Sequence, residues 1–309
     1  MHKSMEEITF CSITPLFRFE LEPNPSLFAH SGVHKDARYE IRIVKPESGP
    51  DFSKTLLPWA DRHDLQILQQ IHLSPRMIAG VADYFLTINV AHEYTEKLKP
   101  AGNTLECLEI RGSILDALRL KSTRGLLYYT DYEFRSIPNP YVASSASGTP
   151  LIDQYLFSHL GNGPSVLNES DFATCQAIFE KLLSAHHDHE KDSDKLLELA
   201  LSYHQVAFKL EKVQHSFLIL MIIFESIFKQ LEEHNITNAA KRIGDQLGNT
   251  DAEKTAIRKE FDNNVPNTFG KLRNDIAHGS SALDIHVVKD KYPTLYGYIT
   301  RAIVHMLGI

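Results

Sequence analysis

The chain has 309 residues, 43% hydrophobic and 23% charged, with a formal net charge of −7. That is ordinary globular composition, long enough for a substantial core and too apolar for disorder. With 15 glycines and 14 prolines it is neither collagen-like nor of low complexity. The longest unbroken apolar run, Phe217–Phe224, is eight residues, against roughly 20 for a bilayer-spanning helix. The first twenty residues mix Glu6, Glu7, Arg18 and Glu20 among strand-like residues and do not read as a signal segment. A soluble cytoplasmic protein is expected. Cys11, Cys107 and Cys175 lie far apart without a CxxC pair, which fits free buried thiols rather than a disulfide framework or a cysteine zinc site. Residues 201–309 carry 13 Lys+Arg against 12 Asp+Glu, a balance of +1, which leaves −8 for residues 1–200. Neither half has the basic surplus that drives non-specific nucleic-acid binding, so any RNA would be met at a local site.

In chain order, Ile8–Ile13 and Leu16–Leu21 read as strands, the second alternating Phe17, Phe19 and Leu21 with Arg18 and Glu20. Tyr39–Val44 alternates likewise, and Tyr84–Val90 and the tyrosine-rich Leu126–Phe134 are further strands. Leu56–Leu73 and Thr104–Leu120 are helix candidates. The turn-rich stretches Pro138-Asn139-Pro140, Ser144–Pro150 and Gly161–Pro164 flank a short apolar segment, Leu151–Leu160. They divide an α+β domain, residues 1–150, from an all-helical domain, residues 165–309.

The second half reads as helices throughout: Phe172–His187, Asp194–Lys209, the apolar Val213–Leu231, then Asn238–Leu247 with Gly248 as its C′ residue. Thr250-Asp251-Ala252-Glu253 is a capping box opening a helix to Phe261, Thr268–His278 ends at Gly279, and Tyr292–Leu307 closes the chain. Short connections predict an antiparallel bundle.

The Thr268–His278 helix concentrates chemistry. At about 100° per residue, Phe269, Leu272 and Ile276 form its core stripe. Asn274 and His278 point away from that stripe, one turn apart, and Arg273 sits at its flank. By geometry alone the trio also fits a solvated face ending in a histidine favoured by the helix dipole. Glu225 shares a face with the core residues Leu218 and Met221, and a carboxylate there needs a partner. Arg273, Arg242 and simple exposure are the alternatives.

Arg273-Asn274-x-x-x-His278 resembles the arginine, polar residue, three residues, histidine motif of HEPN-domain ribonucleases. Leu272 before it and Gly279 after it resemble the Apea-like branch. Two further stretches agree: the helices at Ala200–Tyr203 and Ile223–Phe228, the second bearing Glu225, and Lys241-Arg242-Ile243-Gly244 as the following short helix. The resemblance spans roughly residues 171–307. It implies an HEPN-type bundle that acts as a homodimer and cleaves RNA without a metal or other cofactor, the motif helices of two copies facing one cleft. Arg273 would clamp the phosphate and His278 would transfer protons, with Asn274 orienting the imidazole or the 2′-hydroxyl and Glu225 in support. An imidazole, which ordinarily titrates near neutrality, suits proton transfer, and a forked guanidinium suits phosphate oxygens. The family further implies a toxin-like or antiphage role, with residues 1–150 sensing a trigger, binding a partner or positioning RNA. The alternative is a non-catalytic HEPN module that binds RNA, a nucleotide or a protein.

Other clusters carry less. His186-His187-Asp188-His189-Glu190 reads as a solvated helix end, because adjacent histidines on a regular helix cannot converge on one ion. His30 and His34 lack the glutamate of a zinc-binding HExxH motif. Tyr128–Tyr132 reads as a strand with packed aromatics, and no Walker A, dinucleotide or GxSxG motif is present.

Overall fold

The computed structural model describes residues 7–17, 19–22, 28–45, 84–93, 105–122, 127–128, 132–136, 159–160, 165–185, 192–228, 239–281 and 283–309. The fold is mixed α+β. An antiparallel sheet is built mainly from the first half, and eight helices occur among the described residues, seven of them after the sheet. Two compact units result. One comprises residues 1–156 and 163–183, the other residues 157–162 and 184–309.

In the first unit the strands are β1 (Glu7–Phe17), β2 (Phe19–Leu21), β3 (Ala29–His34), β4 (Ala37–Val44) and β5 (Tyr84–Glu93). Helix α1 (Leu105–Lys121) follows, then β6 (Leu127–Tyr128), β7 (Tyr132–Ser136) and β8 (Ser165–Leu167). The main sheet runs β3-β4-β5-β1-β6, with β7 also pairing β1, while β2 and β8 form a separate parallel pair. Strand β1 is central. It pairs with β5 from Glu7↔Glu93 to Leu16↔Tyr84, and everything from Phe10 to Leu16 is buried. A strand covered on both faces has no polar side to alternate. In β4 the expected alternation holds, with Tyr39, Ile41 and Ile43 buried and Arg38 and Arg42 exposed.

Two strands were not anticipated, β3 and β8. Ala29–His34 is polar and contains Gly32, yet it pairs with β4 from Ala29↔Arg42 to His34↔Ala37. Gly32 is needed there, since a Cβ would lie 2.6 Å from the Tyr39 hydroxyl that crosses it. The i, i+4 spacing of His30 and His34 is thus that of residues on one strand face. Each histidine bonds a protein partner: His30 Nε2 lies 3.2 Å from the Tyr39 hydroxyl and His34 Nε2 lies 2.7 Å from Glu109 Oε2. The helix expected at Leu56–Leu73 and the His186–Glu190 cluster lie outside the described residues, as does most of Leu151–Leu160.

Helix α2 (Glu169–Ala185), expected to open the bundle, belongs through Leu183 to the first unit. Its apolar stripe meets the sheet and α1: Phe172 packs on Phe28, Phe179 edges onto Tyr39 and His30, and Cys175 lies against the Ala117 carbonyl. Periodicity identifies a buried stripe but not the element that buries it, so residues 163–183 group with the sheet, while residues 157–162 group with the helices.

The second unit holds α3 (Asp192–Lys209), α4 (Val213–Phe228), α5 (Ala240–Leu247), α6 (Asp251–Glu260), α7 (Phe269–Ala277) and α8 (Ile285–Met306). Helix α4 is its axis and packs on α3, α7 and α8, with Phe217, Leu220, Met221, Ile223 and Phe224 buried. A polar pin joins three of these helices: Ser216 donates to the Ala207 carbonyl at 2.7 Å and lies 2.6 Å from the Tyr292 hydroxyl. With the only serine hydroxyl proton given to Ala207, Tyr292 donates to Ser216.

Two helix ends differ from expectation, and a third keeps its expected cap with one shifted contact. Gly248 ends α5 in extended backbone (φ −91°, ψ 133°) rather than as a left-handed C′ residue. Thr250 caps α6 as expected, accepting from the Glu253 N–H, while the Glu253 carboxylate reaches the N–H of Asn249, one residue before the cap. Helix α8 starts at Ile285, capped by Asp284, and carries Pro293 in its interior on an exposed face. No helix among the described residues is long and apolar enough to cross a membrane.

One buried charge cluster fastens the β3–β4 hairpin to α1. Glu109, 10% exposed, accepts from Lys35 Nζ at 2.8 and 2.9 Å and from His34, which is 3% exposed. Burial pushes the Glu109 carboxyl up, but the hydrogen bonds and charges of Lys35 and His34 outweigh it and hold the group below the usual 4.5. A carboxyl lowered in the folded state contributes stability that is complete above its unfolded value and is lost as pH falls through the folded one. Urea unfolding of wild type and Glu109→Gln between pH 6 and pH 3 reads this directly. The wild type is expected to lose its advantage over the variant below pH 4.5, and a pH-independent difference would contradict the clasp.

Candidate functional site

Helix α7 begins where a tight loop turns back. Asn267 adopts a left-handed backbone (φ 61°), and Thr268 then caps the helix, its Oγ1 accepting from the Lys271 N–H and donating to the Val265 carbonyl at 2.8 Å. Gly270 lets this loop lie against the helix, since a Cβ there would lie 2.6 Å from the Phe261 carbonyl oxygen and closer still to Asn263 Oδ1. Phe269 and Leu272 are buried, Phe269 between the rings of Phe217, Phe261 and Tyr298. The N-terminal half of α7 is therefore anchored in the core.

The C-terminal half emerges from it. Ile276, placed by helical spacing in the core stripe, is only half-buried, and Ala277 and His278 are exposed. The helix ends in a full Schellman motif. Gly279 takes φ +64° and its N–H reaches the Ile276 carbonyl at 3.2 Å, while the Ser280 N–H reaches the Asp275 carbonyl at 2.8 Å. Glycine at 279 is thus a backbone requirement, and it leaves His278 as the C-cap residue with its imidazole in solvent.

The structure brings together three of the four expected site residues by their side chains. Arg273 Nε donates to Glu225 Oε1 at 2.8 Å and its Nη2 to Oε2 at 3.3 Å, a two-point pairing between α7 and α4. Of the alternatives for Glu225, Arg273 is an observed partner, and Arg242 instead donates from Nε to the Phe228 carbonyl at 2.8 Å. Arg273 Nη1 donates to Asn274 Oδ1 at 3.2 Å. Asn274 meets His278 only through the backbone, its carbonyl accepting the His278 N–H at 3.0 Å. The His278 imidazole stands apart from this network.

These contacts commit three of the five N–H groups of Arg273 among the described residues. The arrangement offers a guanidinium held by a carboxylate, an adjacent amide and an exposed imidazole at one helix end, a set suited to an oxyanion and a proton transfer. A pair of residues that sequence spacing did not single out flanks it: Lys271 pairs with Asp275 four residues on. That i, i+4 spacing on α7 was its only signal. Among the described residues no group of three or more His, Cys, Asp or Glu side chains is placed to hold a metal ion.

The Glu225–Arg273 pair, with side chains 18% and 29% exposed, is expected to couple α4 to α7 energetically. A double-mutant cycle of Glu225→Gln and Arg273→Gln in urea unfolding is expected to return about 1–2 kcal/mol of interaction energy. A value near zero would mean that the guanidinium is not held.

No protein-family model matches the chain, and no curated protein or solved structure matches it.

Proposed function

We propose that the helical unit is a metal-independent endoribonuclease of the HEPN type, working as a homodimer. The observation that carries this reading is the guanidinium of Arg273, fixed by Glu225 and Asn274 at the end of a helix that also presents the solvent-exposed His278. Glu225 sets the position of the cation, so that Arg273 meets a phosphate without first paying to be ordered.

In this reading His278 of one copy takes the proton from a ribose 2′-hydroxyl. The 2′-oxygen attacks the adjacent phosphorus, and the bond to the 5′-oxygen breaks. His278 of the second copy protonates that leaving oxygen. Arg273 neutralises the non-bridging oxygens while their charge grows, and Asn274 orients the imidazole or the 2′-hydroxyl. The products are a 2′,3′-cyclic phosphate and a 5′-hydroxyl end. Partnering also accounts for Ile276, an apolar residue on the core side of α7 that its own unit leaves half-covered. The HEPN resemblance adds a toxin-like or antiphage setting in which the N-terminal unit receives a trigger or a partner.

Incubating the full chain with total RNA in EDTA tests the proposal. The wild type is expected to produce cyclic-phosphate ends, and His278→Ala and Arg273→Ala are each expected to lose about 10²–10⁴-fold in rate. Cleavage that survives both substitutions would contradict the site, and cleavage abolished by EDTA would contradict metal independence.

A further inference from the structure

The main sheet ends at β3, and among the described residues no strand pairs with the side of β3 that faces away from β4. The register fixes which backbone groups lie on that side. The Ile43 N–H donates to the Phe28 carbonyl at 2.9 Å, which makes these two residues a hydrogen-bonded pair just before β3. Such pairs recur at every second position of an antiparallel ladder, so His30, Gly32 and His34 direct their N–H and C=O groups to β4. Ala29, Ser31 and Val33 turn theirs outward. The same three residues are exposed, Val33 to 67%.

An open edge of this kind invites another strand, and natural sheets guard it with a lysine, a proline, a bulge or an inward charge. Ala29–His34 contains no lysine, arginine, aspartate, glutamate or proline, and its register with β4 runs without a bulge from Ala29↔Arg42 to His34↔Ala37. The charges of the hairpin sit one strand further in, at Arg38, Glu40 and Arg42. The edge is also its own complement. Turned about Ser31, a second copy of β3 lies antiparallel to the first, with Ser31 against Ser31, Ala29 against Val33 and His30 against Gly32. In that register the outward N–H and C=O groups at 29, 31 and 33 meet one another as hydrogen-bonded pairs. Val33 gains a small neighbour, and no charge is set opposite a like charge.

We propose that β3 is an interface between two copies of this chain, joined antiparallel about Ser31 so that their sheets run on as one. A two-fold axis lets a single edge serve both sides of the contact. A six-residue edge buries little, in the class below about 1,200 Å² in total, so the association is reversible rather than permanent. It is separate from the ribonuclease reading, which concerns the helical unit, and neither depends on the other.

Disulfide trapping in the full chain tests the register. Opposite residues of a hydrogen-bonded antiparallel pair have Cα atoms about 5.5 Å apart, inside the roughly 4.4–6.8 Å that a disulfide spans. Cys11, Cys107 and Cys175 are all buried, so a thiol introduced on the edge is the preferred one to react. Under copper–phenanthroline oxidation, Ser31→Cys is expected to form a covalent dimer about tenfold faster than Val33→Cys or Ala29→Cys alone. Positions 29 and 33 each lie four residues, or about 14 Å along the strand, from their own copies. An equimolar mixture of Ala29→Cys and Val33→Cys should recover the fast rate, which keeps the test decisive if Ser31→Cys fails to fold. Equal rates in all three single variants would mark random collision and overturn the interface. No dimer from either Ser31→Cys or the mixture would overturn it too. Rapid reaction of the edge thiol with a maleimide would then leave β3 open to a strand of another protein, and slow reaction would show the chain's own segment covering it. RNA cleavage by the wild type reads the nuclease proposal separately.

Discussion

The pairing of Glu225 with Arg273 is the constraint on which the proposed chemistry of the helical unit depends. Arg273 lies at the flank of α7, where its chain could fold to either side, and α7 has nine residues. Without a fixed carboxylate the guanidinium would sample many rotamers, and a phosphate would bear the full entropic cost of ordering it. Glu225 removes that freedom from within α4, the most deeply buried helix of the unit. The carboxylate in turn needs a cation, because a charge that has left water is costly when unpaired. The arrangement stabilises the α4–α7 junction and aims a cation outward.

Around this pair the polar residues divide the work by position along α7. The first half of the helix is locked by the Thr268 cap, the Gly270 close approach and the aromatic cluster at Phe269. The second half is held by the Arg273–Glu225 pair and a Schellman turn, and it emerges progressively until Ala277 and His278 are exposed. A rigid base and a projecting end suit a site completed by a second body, since the projecting residues gain their remaining contacts only on association.

Much of this was legible in the sequence, and the reasons differ by residue. Capping residues act locally, so Thr250, Thr268 and Gly279 marked helix ends that the structure reproduces. Glu225 was legible as a carboxylate on an apolar helix face, with Arg273, Arg242 and simple exposure as its alternatives, and only the fold could choose a partner 48 positions away. Ile276 was assigned to the core because periodicity reports a face and not how far along the helix the core extends. Helix α2 went to the wrong neighbour for a similar reason, since its stripe fits a sheet as well as a helix. Strand β3 was invisible because its pairing edge, rather than apolar alternation, holds it, and because Gly32 serves an aromatic ring from the next strand.

The central claim is that the exposed ends of two α7 helices face each other across one groove. Cys11, Cys107 and Cys175 are all buried, so a cysteine placed at the exposed Ala277 would be the preferred target of a thiol-specific spin label. Pulsed electron–electron distance measurement on that variant is the most direct test. Two helices packed with axes 8–10 Å apart, together with the label arms, are expected to give one narrow distance of about 20 Å. A chain that stays monomeric at the measured concentration, or a distance twice as long, would place the two imidazoles on separate surfaces and contradict the account.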